Sequence, residues 1–556
     1  MLNLKFISSL EKVFPDQKIE DFATLDTLSA LRGERVSVQL IYSYEPNVVN
    51  GAHTARHKIE LSGDLAPLAD MREVRCVPVT MPTNPYGQDD NYLRTTPGLY
   101  PDVLIPLRYE GALPYSHNTL KSIWIDINVP EDLSAGEHTL TFKVKGNAHV
   151  GEHEASFTLE VIDASLPKDE IYFTQWFHCD CLANYYETDV WSEKHWKIVE
   201  NFARVAAKNG INLLLTPVFT PPLDTTVGGE RRTTQLIGVT KNKGEYSFDF
   251  TLLDKWVDMC DRCGIKYLEI SHLFTQWGVE HAPKIMATVD GEYKRIFGWD
   301  TAATCDEYKA FLRQFLTEFI AHMKNRGDDK RLFFHISDEP GLHHLENYKA
   351  AKDMIADLIE PYFQFDALSK FDFWKTGAVK TPVCSNNHIT PFLEAKVPGL
   401  WTYYCVSQPV NVSNRYISMP LWRTRSIGMQ IYKYNIEGFL QWGYNFYNNQ
   451  YSDTPINPYL ITDCDGSFPA GDAYSVYPGA NGEALESIRI IAHHQGLTDI
   501  KAMKLCEKYY SHDEVVAAIE EIFGQELTFE TCAKSAKTML AIREKINSMI
   551  KKAVKQ

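Results

Sequence analysis

From Ile171 onward, short apolar segments alternate with amphipathic ones, and this alternation restricts the fold more than any other feature of the chain. Eight apolar segments rich in β-branched and aromatic residues are predicted strands. They span residues 171–179, 211–218, 265–272, 331–337, 363–369, 381–386, 400–407 and 438–446. Predicted helices separate most of them, including 191–210, 251–264 and 305–327. Eight strand–helix units in about 320 residues predict a (β/α)8 barrel. An open doubly wound sheet is the alternative, but no glycine-rich phosphate loop follows any of these strands.

The first 165 residues have a different pattern, with predicted strands and no strong helix after the first two dozen residues. These strands span 36–45, 58–63, 72–81, 121–130, 138–146 and 154–164. Several alternate apolar and polar residues, which is typical of an antiparallel β-sandwich. The chain after Ser487 is predicted to be helical. We therefore predict a multidomain β plus α/β protein with a β-sandwich at 1–166, a catalytic barrel at 167–510 and a helical C-terminal extension at 511–556.

Two predicted loops after strands are unusually long, at about 219–250 and about 273–303. In a (β/α)8 barrel, the loops that follow the strands form the C-terminal rim, where active sites lie. The functional site is therefore expected at this rim.

Charge and cysteine content restrict the partners and the compartment. The 56 basic and 72 acidic residues give a formal net charge of −16, which argues against nucleic acid and membrane surfaces as partners.

The N-terminus has no basic region followed by an apolar run, and the 11 cysteines have no framework spacing. These features predict free thiols and a cytoplasmic location. The oligomeric state is not determined by the sequence.

The adjacent carboxylates Asp338 and Glu339 are the predicted catalytic residues. They follow the apolar segment 331–337, at the end of the fourth predicted barrel strand. Pro340 restricts Glu339 to extended or turn conformations, so both side chains can reach one pocket at the rim. Two carboxylates so close cannot easily both ionise, so one pKa should rise while the other stays low. A helix cap is the competing interpretation of this sequence, since acidic residues are favoured just before helices.

Other polar and aromatic residues lie at the ends of predicted strands, and aromatic residues make up 12% of the chain. Aromatic faces can stack on sugar rings, and polar side chains can bond hydroxyl groups. For each aromatic residue, and for His335, packing in the core is the competing interpretation. The predicted substrate-binding residues are His178, Asp180, His335, Trp401, Tyr403, Tyr404, Gln441, Trp442, Tyr444 and Asn445.

No metal or organic cofactor is predicted. The sequence has no GxSxG, HExxH, phosphate-loop or paired CxxC motif. Cys179 and Cys181 are separated by one residue, which is too close for the usual zinc spacing.

At these residues the chain resembles glycoside hydrolase family 123, whose relatives were once grouped as domain of unknown function 4091. The resemblance rests on FFHISDEP (333–340), WFHCDCLANYY (176–186), DALS (366–369), LWTYYC (400–405), GFLQWGYNFYN (438–448) and FPAGDAYSVYPG (468–479). It extends over nearly the whole chain, including the predicted β-sandwich. The DEP and WGYN elements in this order are fairly specific, whereas each alone is weak.

The resemblance implies a β-N-acetylgalactosaminidase that acts with retention by substrate assistance. The acidic pair of the family corresponds to Asp338 and Glu339. Asp338 would then stabilise the 2-acetamido group of the sugar, and Glu339 would act as general acid and then base. The expected partner is a carbohydrate with terminal N-acetylgalactosamine, hydrolysed from oligosaccharides or glycoconjugates. Two alternatives remain open: a glycosidase of other specificity, for β-N-acetylglucosamine or a sugar without an acetamido group, and a non-catalytic carbohydrate-binding protein.

Overall fold

The computed structural model describes residues 2–44, 54–107, 111–116, 119–146 and 151–555. The chain forms two compact units, each built from more than one segment. The first unit comprises Met1–Glu170, Pro409–Asn435 and Leu485–Gln556, and the second comprises Ile171–Gln408 and Ile436–Ala484.

Ten strands lie in the described residues of the N-terminal region of the first unit. These are β1 (Leu2–Ser8), β2 (Thr27–Arg32), β3 (Arg35–Tyr44), β4 (Thr54–Ser62), β5 (Ala69–Val79), β6 (Gly98–Pro106), β7 (Ala112–Ser116), β8 (Lys121–Asn128), β9 (Gly136–Lys145) and β10 (Glu152–Ser165). They form two five-stranded sheets, in the orders β1-β3-β8-β5-β6 and β2-β10-β9-β4-β7. The predicted sheet-rich region is therefore confirmed.

Both sheets contribute side chains to one hydrophobic cluster. Val38 and Ile125 come from the first sheet, and Phe142 and Leu159 come from the second. Alternate residues of a strand share a face, which explains how strands with alternating polarity supply this core. Where the structure describes both strands of a pair, the pairing is antiparallel except that β2 pairs parallel to β10.

The other segments of the first unit are mainly helical. The helices are Leu421–Arg425, Ile427–Lys433, Ile488–Cys506, His512–Phe523 and Ala536–Val554, with short 3-10 turns at Ile19–Asp21 and Ala66–Leu68. The helix Ile488–Cys506 is joined to β6 by an ion pair between Arg489 and Asp102, which are both fully buried. Residues 409–435 and 485–510 therefore lie in the same unit as the N-terminal sheets, whereas the sequence-based division assigned them to the barrel.

The second unit contains fourteen strands and most of the short helices. The strands are β11 (Tyr172–Gln175), β12 (Leu213–Thr216), β13 (Gly238–Asn242), β14 (Glu245–Asp249), β15 (Tyr267–Ile270), β16 (Ile285–Val289), β17 (Glu292–Phe297), β18 (Leu332–Phe334), β19 (Phe363–Leu368), β20 (Thr381–Ser385), β21 (Trp401–Tyr403), β22 (Gly438–Gln441), β23 (Val476–Pro478) and β24 (Ala484–Glu486, which runs into the first unit). The α-helices are Cys179–Tyr185, Glu193–Lys208, Thr251–Cys263, Asp306–Arg326, Leu345–Asp353, Ala356–Ile359, Asp372–Lys375 and Thr390–Glu394. The 3-10 helices are Asp329–Arg331, Leu342–His344 and Gln450–Ser452.

Eight of these strands form one parallel sheet that closes almost into a barrel. Its order is β11-β22-β21-β20-β19-β18-β15-β12, and each strand lies within one of the eight predicted segments. Asn212 connects the two ends of the sheet. Its backbone N–H donates to the carbonyl oxygen of Phe173 at 3.1 Å, and its side-chain oxygen accepts from the N–H of Phe173 at 2.9 Å. The predicted barrel-like arrangement of eight strands is therefore confirmed.

Side chains two residues apart on these strands fill the interior. Leu213 and Leu215 of β12 belong to the same apolar cluster as Trp401 and Tyr403 of β21. The indole of Trp401 requires a glycine on the neighbouring strand, since a Cβ atom at Gly438 would come within 2.2 Å of the ring. A close-packed interior cannot absorb such an overlap.

The two long segments predicted as loops each contain a β-hairpin. Strands β13 and β14 lie in the segment after β12, and β16 and β17 lie in the segment after β15. Together they form a four-stranded sheet in the order β14-β13-β16-β17. Loops of this length without their own secondary structure are uncommon, and pairing between the two segments satisfies their backbone groups.

All eleven cysteines are unpaired. Among the described residues, no helix is both long and apolar enough to cross a membrane.

Candidate active site

A pocket with about 740 Å³ of open space lies at the carboxyl ends of the barrel strands. Strand ends and the residues just after them contribute Trp176, Asp338, Glu339, Ala367, Tyr403, Cys405, Val406, Leu440 and Trp442. Longer connections contribute Leu223, Asp224, Gln276, Trp277, Gln450 and Phe468. The pocket therefore combines carboxylates with several aromatic faces.

Asp338 and Glu339 both line this pocket, a few residues beyond the end of β18. Asp338 is only 7% exposed. Its carbonyl oxygen accepts a hydrogen bond from the N–H of Trp277 at 2.9 Å, and the N–H of Glu339 donates to the carbonyl oxygen of Ala367 at 3.0 Å. These bonds attach the segment of Asp338 and Glu339 to the loop after β15 and to β19, so the barrel fixes the backbone that carries both carboxylates.

The backbone of Glu339 differs from the expectation for a residue before proline. Its φ is +43°, in the left-handed region, rather than an extended value. Non-glycine residues rarely adopt such values, and they persist where the surrounding structure holds them. The hydrogen bonds of Asp338 and Glu339 on either side of their shared peptide group supply that restraint, and the turn brings two adjacent side chains into one pocket.

The pKa values of both carboxyl groups are raised. Burial, followed by the charge of Glu339, raises the pKa of Asp338 well above its usual value. Burial also raises the pKa of Glu339, although a hydrogen bond from Tyr403 opposes the shift. The sequence predicted one raised and one low pKa, but burial acts on both groups. Burial and the repulsion between the two charges therefore oppose ionisation of both groups at once.

Tyr403, at the end of β21, connects Glu339 to a polar network. Its hydroxyl donates to Oε1 of Glu339. The hydroxyl of Ser369 lies 3.3 Å from that of Tyr403 and 3.0 Å from that of Ser385. This network orients the carboxyl group of Glu339 within the pocket.

His335 lies in the barrel interior rather than at the pocket surface, and it is fully buried. Its Nε2 lies 2.7 Å from Oε1 of Glu269, and its Nδ1 lies 3.1 Å from Oδ1 of Asp366. Both ring nitrogens therefore face carboxylate oxygens, which is the environment of an imidazolium cation. Burial alone would lower the pKa of His335, but the bonds to Asp366 and Glu269 raise it to about 9. This cation in turn lowers the pKa of Asp338.

One group of side chains within the described residues has the composition of a metal site. The ligand atoms of His272, His335 and Asp366 lie within 4.8 Å of one another. The ring of His272 stacks on that of His335 with centroids 4.2 Å apart, and neither nitrogen of His272 has a hydrogen-bond partner. A metal needs a neutral imidazole, whereas the two carboxylates beside His335 favour its protonated form. The geometry thus fits a buried cation better than a metal centre, and the absence of a metal stays a prediction.

Of the predicted substrate-binding residues, Tyr403 and Trp442 line the pocket. Trp442 donates from Nε1 to Oδ2 of Asp472 at 2.9 Å, which fixes the orientation of its indole. His335 lies among the side chains of the barrel interior, as described above.

The other predicted binding residues are buried outside the pocket lining, because they are held by neighbouring barrel elements. These are His178, Asp180, Trp401, Tyr404, Gln441, Tyr444 and Asn445. Asp180 forms a bidentate ion pair with Arg231, and Asn445 exchanges hydrogen bonds with the backbone of His178.

The positions of the remaining predicted binding residues follow from the strands that carry them and from their contacts with neighbouring elements. Trp401 lies two residues before Tyr403 and fills the barrel interior. Tyr404 follows Tyr403, so it points to the opposite face and packs on Phe439 with centroids 4.9 Å apart. Gln441 bonds the backbone of Asp472, and Tyr444 donates to the carbonyl oxygen of Phe202.

Several lining residues were not singled out by sequence reasoning. Asp224 lies in the long segment after β12, and Gln276 and Trp277 lie in the long segment after β15. Gln450 and Phe468 follow β22. For Asp224, Gln276 and Trp277 the length of these segments was the only available signal, whereas Phe468 begins the segment 468–479 on which the family resemblance partly rests.

Comparisons with known proteins agree with this geometry. The profile described as "Glycoside hydrolase 123, catalytic domain" matches residues 176–506. No curated protein matches the chain. A family 123 glycoside hydrolase from Clostridium perfringens, solved in work on glycolipid glycan hydrolysis, has a similar structure with a TM-score of 0.71. The two share 15% sequence identity over 100% of this chain and 98% of the other, so the likeness shows the fold.

Two further solved structures are less similar. A β-glucuronidase from Parabacteroides merdae is 11% identical with a TM-score of 0.33, over 89% of this chain and 51% of its own. An endo-β-1,4-mannanase from Thermotoga petrophila is 12% identical with a TM-score of 0.33, over 60% of this chain and 77% of its own.

Proposed function

The chain belongs to glycoside hydrolase family 123, and from this premise we propose that it is a retaining, exo-acting β-N-acetylgalactosaminidase. It would release terminal β-linked N-acetylgalactosamine from oligosaccharides or glycoconjugates. The proposed mechanism is substrate-assisted: the 2-acetamido oxygen of the sugar is the nucleophile, and Asp338 and Glu339 are the catalytic residues.

The position of these two carboxylates in one pocket, on adjacent residues, is the observation that carries the proposal. A conventional retaining glycosidase places its nucleophile and its acid on opposite sides of the glycosidic bond, about 5 Å apart. Adjacent residues of one turn are poorly suited to that arrangement. They are well suited to a mechanism in which one carboxylate assists the substrate's own amide and the other transfers the proton.

In the first step, the acetamido oxygen would attack C1 while the bond from C1 to the leaving oxygen breaks. Glu339 would donate its proton to that oxygen. Asp338 would accept a hydrogen bond from the acetamido N–H and stabilise the positive charge of the oxazolinium ion. In the second step, the Glu339 carboxylate would take a proton from water as the water oxygen attacks C1. The oxazolinium ring then opens, and the β configuration is retained.

The electrostatics of the pocket support these roles. Burial raises the pKa of Glu339, which keeps a proton available for transfer. The imidazolium of His335 lowers the pKa of Asp338, and a bound N–H donor would favour its charged form further. The aromatic faces of Trp176, Trp277 and Trp442 offer stacking surfaces for a sugar ring.

We further propose that the two N-terminal sheets form a β-sandwich, since both supply one core. The unpaired cysteines support a cytoplasmic location. Glycolipid glycans, which the Clostridium perfringens structure concerns, are one class of glycoconjugate to test as substrates. No metal or cofactor is needed for the steps described, so chelators should not reduce activity.

The mechanism is tested with three aryl glycosides and one inhibitor. Aryl β-N-acetylgalactosaminide should be hydrolysed, the gluco epimer more slowly, and the analogue with a 2-hydroxyl in place of the acetamido group almost not at all. A thiazoline that mimics the cyclic intermediate should bind much more tightly than the product. Asp338→Asn should weaken thiazoline binding and also lower kcat, because it keeps the shape of the side chain but removes its charge.

Two results would contradict the proposal. Efficient hydrolysis of the 2-hydroxyl sugar, with a covalent glycosyl adduct on a carboxylate, would indicate a conventional double displacement. Tight sugar binding without release from any aryl glycoside would indicate a non-catalytic binding protein.

A further inference from the structure

The pocket contains a third carboxylate, Asp224, to which the proposed mechanism gives no role. Asp224 lies in the long segment after β12 and is 9% exposed. One of its carboxylate oxygens, Oδ2, accepts a hydrogen bond from the N–H of Tyr451 at 3.2 Å. The other, Oδ1, has no partner within the part of the chain that the structure describes. A largely buried carboxylate with an unused acceptor on a pocket wall is the arrangement expected of a ligand contact, since ligand pockets orient their ligands with a few well-placed polar groups.

The backbone around Asp224 fixes the direction of this side chain. Its φ is +40°, in the left-handed region that non-glycine residues rarely adopt. The N–H of Asp224 donates to Oε1 of Gln276 at 2.8 Å, and its carbonyl oxygen accepts from the hydroxyl of Ser452 at 2.7 Å. Contacts from two other connections therefore hold the residue in an unfavourable conformation, as is common where a side chain must be presented to a ligand.

The nearby cation does not neutralise Asp224. Arg231 forms a bidentate pair with Asp180, with N–O distances of 2.8 and 2.6 Å, and donates to the carbonyl oxygen of Leu223 at 3.0 Å. Its Nη2 also lies 3.1 Å from Nδ1 of His178 and 3.9 Å from Sγ of Cys181, and it forms no ion pair with Asp224 within the described residues. The negative charge of Asp224 thus remains available to the pocket.

The three carboxylates follow an order along the pocket wall. Asp224 follows β12 and bonds Gln276 after β15, and the N–H of the next residue, Trp277, bonds Asp338. Glu339 bonds Ala367 of β19 and Tyr403 of β21, on the other side of β18 in the sheet. Asp224 therefore lies toward the Asp338 side of the catalytic pair proposed above. With the leaving oxygen at Glu339 and the acetamido group at Asp338, the next positions around the sugar ring are the 3- and 4-hydroxyl groups.

We propose that Asp224 is a substrate-contacting residue that accepts hydrogen bonds from the 3- or 4-hydroxyl of the terminal sugar. This inference rests on the proposed function, because it uses the orientation that Asp338 and Glu339 impose on the substrate. A carboxylate oxygen can accept from either hydroxyl, and charge-assisted hydrogen bonds are among the strongest that a protein makes to a neutral ligand.

A consequence for substrate class follows from the charges of the pocket. The charged side chains of its described lining are Asp224, Asp338 and Glu339, and no lysine or arginine is among them. A sulfate or carboxylate on the terminal sugar would be repelled by these groups without a compensating cation. The substrate is therefore a neutral terminal sugar, unmodified by sulfate at the 3- or 4-position.

The contact should also depend on pH. Burial raises the pKa of Asp224 to about 6, opposed by the Tyr451 N–H and the charge of Arg231 and assisted by Asp453. Asp338 also lies near enough for the two charges to interact. Asp224 is charged above about pH 6 and loses its charge as the pH falls through that value. KM should therefore rise below pH 6 for a substrate that bonds Asp224.

The test compares aryl β-N-acetylgalactosaminide with its 3-deoxy, 4-deoxy and 6-deoxy analogues, on wild type and on Asp224→Asn. For the parent sugar, the substitution should lower kcat/KM by about 10- to 100-fold, mostly through KM, as expected for loss of a charge-assisted bond. Removing the contacted hydroxyl should lower kcat/KM of wild type by a similar factor. It should lower kcat/KM of Asp224→Asn only slightly, since the two changes remove the same interaction. Removing the 6-hydroxyl should change kcat/KM by the same factor in wild type and in Asp224→Asn.

Asp453→Asn is the matched control, because it removes an exposed charge beside Asp224 without altering the pocket lining. It should change kcat/KM by less than about twofold, in line with other exposed substitutions. If Asp224→Asn fails to fold, wild type alone still gives a test. The rise of KM below pH 6 should be present for the parent sugar and absent for the 3-deoxy or the 4-deoxy analogue.

Three outcomes would overturn the inference. The first is an Asp224→Asn enzyme with unchanged KM on the parent sugar. The second is a decrease of kcat/KM that is the same in wild type and in Asp224→Asn for every deoxy analogue. The third is a covalent glycosyl adduct on Asp224. In each case wild type still hydrolyses the parent sugar. Failure of the proposed function itself would look different, because wild type would then not release the aglycone from the acetamido glycoside.

Discussion

The hydroxyl of Tyr403 donates a hydrogen bond to Oε1 of Glu339, although the two residues are 64 positions apart in the sequence. Tyr403 ends β21, and Glu339 follows β18, so two barrel strands lie between them. The bond lowers the pKa of Glu339 against the larger effect of burial, which raises it. Tyr403 is therefore the residue best placed to adjust and orient the proposed general acid.

Tyr403→Phe removes this hydrogen bond, so the pKa of Glu339 should rise further. In the proposed mechanism Glu339 acts in its protonated form, so the basic limb of the kcat/KM profile should move to higher pH. Because the acid is also less well oriented, kcat should fall by about tenfold, or about 1.4 kcal/mol in activation free energy. The pH dependence of kcat/KM is the measurement. Tyr186→Phe, at a tyrosine that bonds Gly479 outside the pocket, is the control, and a basic limb that moves to lower pH would contradict the assignment.

Glu339→Gln should remove most activity on substrates with poor leaving groups, by about 10²- to 10⁴-fold, the usual contribution of general acid catalysis. Aryl glycosides of acidic phenols need little protonation, so their first step should be affected less. A plot of log kcat/KM against the pKa of the leaving phenol measures this, and its slope should be steeper in the variant. Glu360→Gln, at an exposed glutamate paired with Lys380, should give the slope of wild type. Equal losses for every leaving group would argue against Glu339 as the acid.

His335→Gln replaces the buried imidazolium by a neutral side chain that can still form hydrogen bonds. The cation lowers the pKa of Asp338, so its loss should raise that pKa and move the acid limb of kcat/KM to higher pH. Activity near neutral pH should fall by about 10- to 100-fold, as for loss of other preorganised charges. The measurement is the pH profile, with nitrogen NMR of wild type to observe both ring N–H groups. An acid limb that stays in place would mean that His335 has only a packing role.

The same group predicts a change of stability with pH. The pKa of His335 is raised in the folded state to about 9, from a usual value near 6.5. Its stabilising contribution is therefore fully present below about pH 6.5 and is lost as the pH rises through about 9. The free energy of unfolding of wild type should fall over this interval relative to that of His335→Gln. Parallel curves for the two proteins would show that the histidine is neutral in the folded state.

Asp102→Asn should destabilise the protein strongly, because it leaves the buried Arg489 guanidinium without its countercharge. Nε and Nη2 of Arg489 bond the two oxygens of Asp102 at 2.7 and 2.9 Å, and both residues are fully buried. Breaking a buried pair by removing one partner costs about 3–5 kcal/mol. Urea unfolding of the full chain measures the change. Asp163→Asn breaks the exposed pair with Arg32 and should change stability by less than about 1 kcal/mol; similar effects of the two substitutions would contradict the prediction.

The place of Asp338 and Glu339 at the pocket and the positions of the barrel strands could be predicted from sequence because each depends on local pattern. The segment 331–337 is apolar and ends at Asp338, and a strand end in a parallel barrel is where functional groups collect. The eight strand positions follow from short apolar segments separated by amphipathic ones. The binding residues could not be predicted in this way, since polar and aromatic residues at strand ends can line the pocket, as Trp442 does, or lie behind it, as Gln441 does.

The sequence by itself therefore determined the order of the elements, the sheet-rich N-terminal region and the position of Asp338 and Glu339, because period and residue type specify each element locally. Only the tertiary structure decided which distant segments meet. It placed 409–435 and 485–556 with the N-terminal sheets, brought Tyr403 to Glu339, enclosed His335 between Glu269 and Asp366, and turned Asp224 into the pocket. These outcomes depend on burial and on contacts between residues far apart in the chain, which set both side-chain direction and pKa and leave no local pattern in the sequence.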